Sequence, residues 1–209
     1  MKPTLLVLNA SARINRSLTH GLSHRFAEAW LARRPGATLV QRDFATNPPP
    51  AIDEAWIEAA FTPSELRSPD MQAALELSEI MIAEIEAASA IVIGVPLYNF
   101  GMPASLKAWF DQVIRIDRTF SIVDDPAAPY RPLLLSKPVI VMTVAGSSAF
   151  QPGGEAAHLN FLEPHLVTLL GFVGLTDVTF VRVGDAELKN DHYFRSISAA
   201  ENAVEKLAA

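Results

Sequence analysis

Three short apolar runs restrict the fold more than anything else in this chain. They are Thr4–Leu8 (TLLVL), Ala90–Val95 (AIVIGV) and Pro138–Val144 (PVIVMTV). Each is rich in branched residues and shows no polar alternation. A half-exposed antiparallel strand alternates; a strand covered on both faces does not. Thr38–Arg42 (TLVQR) and Val178–Val183 (VTFVRV) are weaker strands of the same kind.

Helical stripes separate the runs. Leu18, Leu22, Phe26 and Trp30 recur every four residues, and Met71, Leu75, Ile82 and Ile85 share a face. Leu106, Phe110, Val113 and Ile114 mark a third helix. A fourth follows from Leu159, Leu162, Leu166, Leu169 and Val173, and a last from Ile197, Val204 and Leu207. Such stripes read as core-facing. Strands alternating with helices predict an α/β doubly wound, five-stranded parallel sheet with helices on both faces. Right-handed crossovers and this length favour the order 2-1-3-4-5 in one domain spanning 1–209.

Two segments exceed a simple connection. Residues 44–68 hold Pro48-Pro49-Pro50, a predicted helical piece at Glu54–Phe61, and Trp56 and Phe61 as exposed candidates for a lid or a contact between subunits. Residues 121–136 carry Pro126, Pro129 and Pro132.

A net charge of −6 with no basic block argues against nucleic-acid binding. The absence of cysteine excludes disulfides, thiolate catalysis and zinc–thiolate sites. The first apolar run is too short for a signal peptide or a membrane span, so a cytoplasmic protein with no membrane association is expected.

In such a sheet ligands bind beyond the carboxyl ends of the strands. The first loop there, Asn9–Arg16, leads into Ser17, a predicted N-cap. The free amides of Leu18 and Thr19, the helix dipole and the hydroxyls of Ser11, Ser17 and Thr19 form an anion site, to which Arg13 or Arg16 add charge. The glycines of a dinucleotide or nucleoside triphosphate loop are missing, so a monophosphate fits better. In the second loop, "PLYNFGMPASLKAWFDQ" (Pro96–Gln112), Tyr98 and Phe100 flank a turn whose Gly101 would let the backbone approach a flat ring. The third, Ala145-Gly146-Ser147-Ser148, offers amides to that ring's far edge.

These stretches, with "LNASARINRSLT", "PPPAIDEAW" and "LLGFVGLTDVTFV", resemble the FMN-dependent NADH-azoreductase and NADH:quinone oxidoreductase family along nearly the whole chain. The resemblance implies a flavodoxin-like fold, noncovalent FMN, NADH or NADPH as co-substrate, and a homodimer whose interface completes the site. By motif match Ser11, Ser17, Leu18 and Thr19 would hold the phosphate, and Pro96, Leu97, Tyr98, Asn99 and Phe100 the isoalloxazine. Val144, Ala145, Gly146 and Ser147 would reach its pyrimidine edge. Here the chain departs from the Arg-Gly-Gly-like turn of many members. Phe100, Phe120 and Phe172 are candidates for the substrate slot.

A flavin carries out hydride transfer itself, so no catalytic side chain is expected, and a quinone or azo compound would follow the nicotinamide in a ping-pong cycle. Two rivals stand beside this reading: a flavodoxin-type one-electron carrier and a flavin-free phosphoester hydrolase. His20 and His24, at i and i+4, lack a third ligand, so no metal is expected. His158 and His165 read as ordinary surface or core histidines. Ser147-Ser148 lacks a nucleophile elbow, and Asp124-Asp125 reads as a solvated turn.

Overall fold

The computed structural model describes residues 2–209. Its central sheet is built from β1 (Thr4–Asn9), β2 (Thr38–Asp43), β3 (Ala90–Pro96), β6 (Val139–Val144) and β7 (Val178–Val183), all parallel, in the order β2-β1-β3-β6-β7. Numbered within this sheet alone, that is the expected 2-1-3-4-5. A small antiparallel hairpin, β4 (Phe120–Ile122) and β5 (Tyr130–Pro132), sits in the second long segment. The helices are α1 (Leu18–Ala32), α2 (Glu54–Phe61), α3 (Pro69–Ala74), α4 (Glu76–Ala87), α5 (Ala104–Val113), α6 (Leu162–Val173) and α7 (Asp191–Leu207).

Successive side chains of a strand point to opposite faces, so each central strand supplies two cores. Leu5 and Val7 of β1, Val92 of β3 and Met142 of β6 pack with Leu22, Phe26 and Trp30 of α1 and Val204 of α7. Leu6 and Leu8, Ile91 and Ile93, and Val141 face the other way, onto Ile82 of α4, Trp109 of α5 and Leu166 of α6. Every residue of β3 is buried. The edge strands β2 and β7 are partly exposed, and this is why their sequences mix polar residues into the run.

Three sequence expectations are adjusted. The Met71–Ile85 stripe spans two helices that meet at Leu75, the C-cap of α3 and N-cap of α4, which packs with Trp56, Ala59 and Ala60. Trp56 is therefore buried, whereas Phe61 is 69% exposed. The Trp56 indole N–H donates to Gln112 Oε1 at 2.9 Å, and the Gln112 amide donates to the Pro50 carbonyl at 3.2 Å. Finally, α6 begins at Leu162, not Leu159, because the Asn160 side chain accepts from the Leu162 and Glu163 amides.

Candidate functional site

In a parallel sheet all strands finish on one side. The chain leaving β1, β3, β6 and β7 surrounds a cavity of about 690 Å³ there. Ser11, Ser17, Leu18, Thr19, Pro96, Leu97, Tyr98, Val144 and Gly146 all line it, so the three loops singled out in the sequence converge. The cavity continues along α1 and α7 to Gly21, Tyr193 and Ile197.

The first loop ends as its sequence suggests. Ser17 is the N-cap of α1, and its hydroxyl accepts from the His20 amide at 3.3 Å and bonds Thr19 Oγ1 at 3.1 Å. That cap serves the third amide of the helix, leaving those of Leu18 and Thr19 at the cavity wall. No acidic residue lies in the first turn, so the positive end of the helix dipole is not neutralised locally. Arg13 and Arg16 line the same wall, Arg16 with φ 64°.

The helix can come this close to the sheet because residue 94 lacks a side chain. A Cβ on Gly94 would lie 3.0 Å from Asn9 Oδ1 and 3.1 Å from the Thr19 carbonyl oxygen. Asn9 is buried, and its Oδ1 accepts from Ser23 Oγ at 2.7 Å.

The second loop is a tight turn. Tyr98 and Gly101 exchange backbone bonds of 3.1 and 2.9 Å. The two residues between them, Asn99 (φ 45°) and Phe100 (φ 68°), both take left-handed backbone. Asparagine accepts that conformation readily; phenylalanine does so at a cost, of the sort found where a site fixes its geometry. The permissive position is thus not Gly101, whose φ lies outside the left-handed region and whose Cβ direction points into open space. Tyr98 shares a 3.4 Å hydrogen bond with Ser11, linking the first two loops. It also borders a second cavity of about 600 Å³ that reaches Asn99, Met102 and Ser105.

The third loop is held by a segment the sequence reading did not single out. The Ala186 and Glu187 amides donate to the Ala145 and Gly146 carbonyls, each at 3.2 Å. Asp185 Oδ1 accepts from the Ser148 amide at 2.6 Å. Its Oδ2 accepts from the Asn190 side chain at 3.1 Å and faces His192 Nδ1 at 3.1 Å. The Ser148 amide first, then Asn190 and His192, hold the Asp185 carboxyl below its ordinary range. The Glu187 side chain lies across Gly146. Neither acid belongs to a recognisable motif; only the position of their loop, directly after β7, was available as a signal.

Some candidates stand apart. Ala145 is buried behind the wall, and Ser147 turns inward to cap Ala149. Phe100, 46% exposed, packs edge-on against Phe150 at 5.7 Å. Phe120 and Phe172 pack on one another at 4.8 Å, with Tyr130 of the hairpin completing the cluster. His20 approaches Asp43 at 3.9 Å and His24 pairs with Glu28, so the two do not converge. Among the described residues no cluster of three His, Cys, Asp or Glu is placed to hold a metal, and no helix is long and apolar enough to cross a membrane.

A doubly wound sheet with an amide-lined anion site at the start of α1 and an aromatic turn after β3 defines a flavodoxin-like class of protein. The family model for the flavodoxin-like fold matches residues 3–208, and the chain belongs to that family. It is 52% identical over 204 residues to an FMN-dependent NADH:quinone oxidoreductase of Opitutus terrae, covering 98% of this chain and 96% of the relative. A second enzyme of that name, from Trichormus variabilis, is 39% identical over 98% of both chains. Among solved structures, an azoreductase from Bacillus anthracis superposes with a TM-score of 0.86 at 20% identity, over 99% of this chain and 98% of that one.

The residues present suit FMN. Free amides and hydroxyls at an undiminished helix dipole match a phosphate dianion. The turn at 98–101 and the cavity bordered by Leu97, Val144 and Gly146 leave room for a flat ring.

Proposed function

We propose that this chain is an FMN-dependent oxidoreductase that passes two electrons from NADH or NADPH to quinones and azo compounds in a ping-pong cycle. One observation carries the reading: a single cavity joins the uncapped first-turn amides of α1 to the aromatic turn after β3. The names of its full-length relatives agree.

The hydroxyls of Ser11, Ser17 and Thr19 and the amides of Leu18 and Thr19 bind the phosphate. Pro96 to Phe100 carry the ring, with Tyr98 fixed through Ser11 and the turn stiffened by its two left-handed residues. Val144 and Gly146 bound its pyrimidine edge, while Ala145 and Ser147 stand outside the cavity. When bound, FMN supplies the hydride chemistry; the protein binds, orients and excludes water. Phe100 borders the substrate slot, and Phe120 and Phe172 belong to it through a second copy of the chain. The homodimer places the exposed Phe61, Phe100 and Phe161 against a partner. The chain acts as one domain over 1–209, in the cytoplasm, where nicotinamide nucleotides circulate.

FMN titration followed by anaerobic NADH tests this. Stoichiometric uptake, then rapid bleaching reversed by a quinone, is expected. A chain that binds FMN but is not bleached by NADH or NADPH would be a one-electron carrier instead. A chain that ignores FMN refutes the proposal. Sedimentation of the active species checks the dimer.

A further inference from the structure

Glu187 is the one acidic side chain placed across the end of the cavity bounded by the third loop. Its position is built. The amides of Ala186 and Glu187 and the carboxylate of Asp185 each bond the 145–148 segment, so three hydrogen bonds fix the backbone on either side of it. From there the side chain crosses Gly146. A Cβ on that residue would lie 2.9 Å from Glu187 Cδ and 3.2 Å from Oε1. Glu187 is solvent-exposed and belongs to none of the ion pairs among the described residues, though Arg13, Arg16 and Lys189 line the same cavity. The other acid lining the cavity, Glu201, is answered by Arg25 at 3.5 Å.

We propose that Glu187 sets the reduction potential of the bound flavin, lowering it. The inference rests on FMN occupying the cavity with its pyrimidine edge toward Gly146. Two-electron reduction adds negative charge to that edge of an isoalloxazine. Preorganised dipoles aimed there favour the added charge; a carboxylate beside that edge opposes it. The loop thus combines amides that hold the ring with one charge that resists its reduction. Binding of oxidised FMN is little affected, whereas binding of reduced FMN is weakened. The protein then passes electrons on more readily than the cradle without Glu187 would.

The test uses the FMN-loaded full-length protein and compares wild type with Glu187→Gln, Glu187→Ala and Glu187→Asp. The midpoint potential is read by equilibration with reference dyes, and the FMN dissociation constant by fluorescence. Both neutral variants should raise the potential by about 30 mV, a tenfold change in the ratio of oxidised to reduced dissociation constants. Their affinity for oxidised FMN should stay within about twofold. Glu187→Asp should stay near wild type. Glu28→Gln, on the outer face of α1, removes the same charge remotely and should leave the potential unchanged. Potentials that do not rise in the neutral variants while FMN binds normally overturn the inference alone. An equal shift in Glu28→Gln also overturns it, by reducing it to net charge. Wild-type protein that takes up no FMN overturns the cofactor reading and the inference together.

Discussion

Gly94→Ala tests the packing on which the anion site depends. The new methyl carbon would meet Asn9 Oδ1 at 3.0 Å and the Thr19 carbonyl oxygen at 3.1 Å. One neighbour is the side chain that accepts from Ser23, and the other is backbone in the first turn of α1, so neither gives way freely. Relief requires α1 to lift from β3 by a few tenths of an ångström. Overpacking of this kind costs about 1–3 kcal/mol. Replacing glycine in a strand returns about 0.5–1 kcal/mol through the unfolded chain. The balance is a loss of up to about 2.5 kcal/mol, or up to roughly 10 °C in melting temperature for a chain of this size. Gly171→Ala is the matched control. Gly171 sits inside α6 with nothing within 4 Å of its Cβ direction, so alanine there should stabilise by about 0.5–1 kcal/mol. The lift also moves the Leu18 and Thr19 amides, so FMN affinity should fall in Gly94→Ala and hold in Gly171→Ala. Thermal melts and FMN titrations of both variants decide. A Gly94→Ala protein as stable as wild type with unchanged FMN affinity refutes the reasoning.

Ser17→Ala removes the cap on His20 and, on the proposed function, a phosphate ligand, and should weaken FMN binding by about 1–2 kcal/mol in a fluorescence titration. Trp56→Phe keeps an aromatic side chain, though a smaller one, and strands Gln112 Oε1, and denaturant unfolding should show a loss of about 1–3 kcal/mol. Acid should loosen the junction of the third loop with the segment after β7. The Asp185 carboxyl is held below its ordinary value, so its contribution is complete above that value and is lost as pH falls through the lowered one. Amide exchange at Ser148 should therefore accelerate below about pH 4, and less so in Asp185→Asn.

The strands were legible because burial on both faces leaves a run no polar position, and the five observed strands differ from the expected ones by a residue or less at each end. The cap at Ser17 was legible for a local reason as well: the hydroxyl and the apolar stripe are adjacent in sequence. What stayed hidden depends on distant contacts. Leu75 keeps perfect helical spacing, yet it is the junction between two helices and packs with Trp56 in a separate cluster. Trp56 looks like a surface aromatic until Gln112, far along the chain, accepts its N–H. Gly101 advertised backbone freedom, but the turn puts its left-handed residues at Asn99 and Phe100, a choice fixed by the Tyr98–Gly101 bonds. Asp185 and Glu187 acquire meaning only once β7 lies beside β6 and brings them against the third loop.

The Trp56–Gln112–Pro50 linkage dictates where this chain can change its length. Residues 50 to 56 are riveted to α5 by two bonds through one amide, so a codon added or removed between them misaligns a shielded junction. Beyond Phe61 the chain is mostly exposed, tied back chiefly by the Arg67 guanidinium on the Ala59 and Thr62 carbonyls. Natural or engineered insertions should accumulate there, at 62–68, and a peptide tag spliced into that bend should leave the rest of the molecule in register.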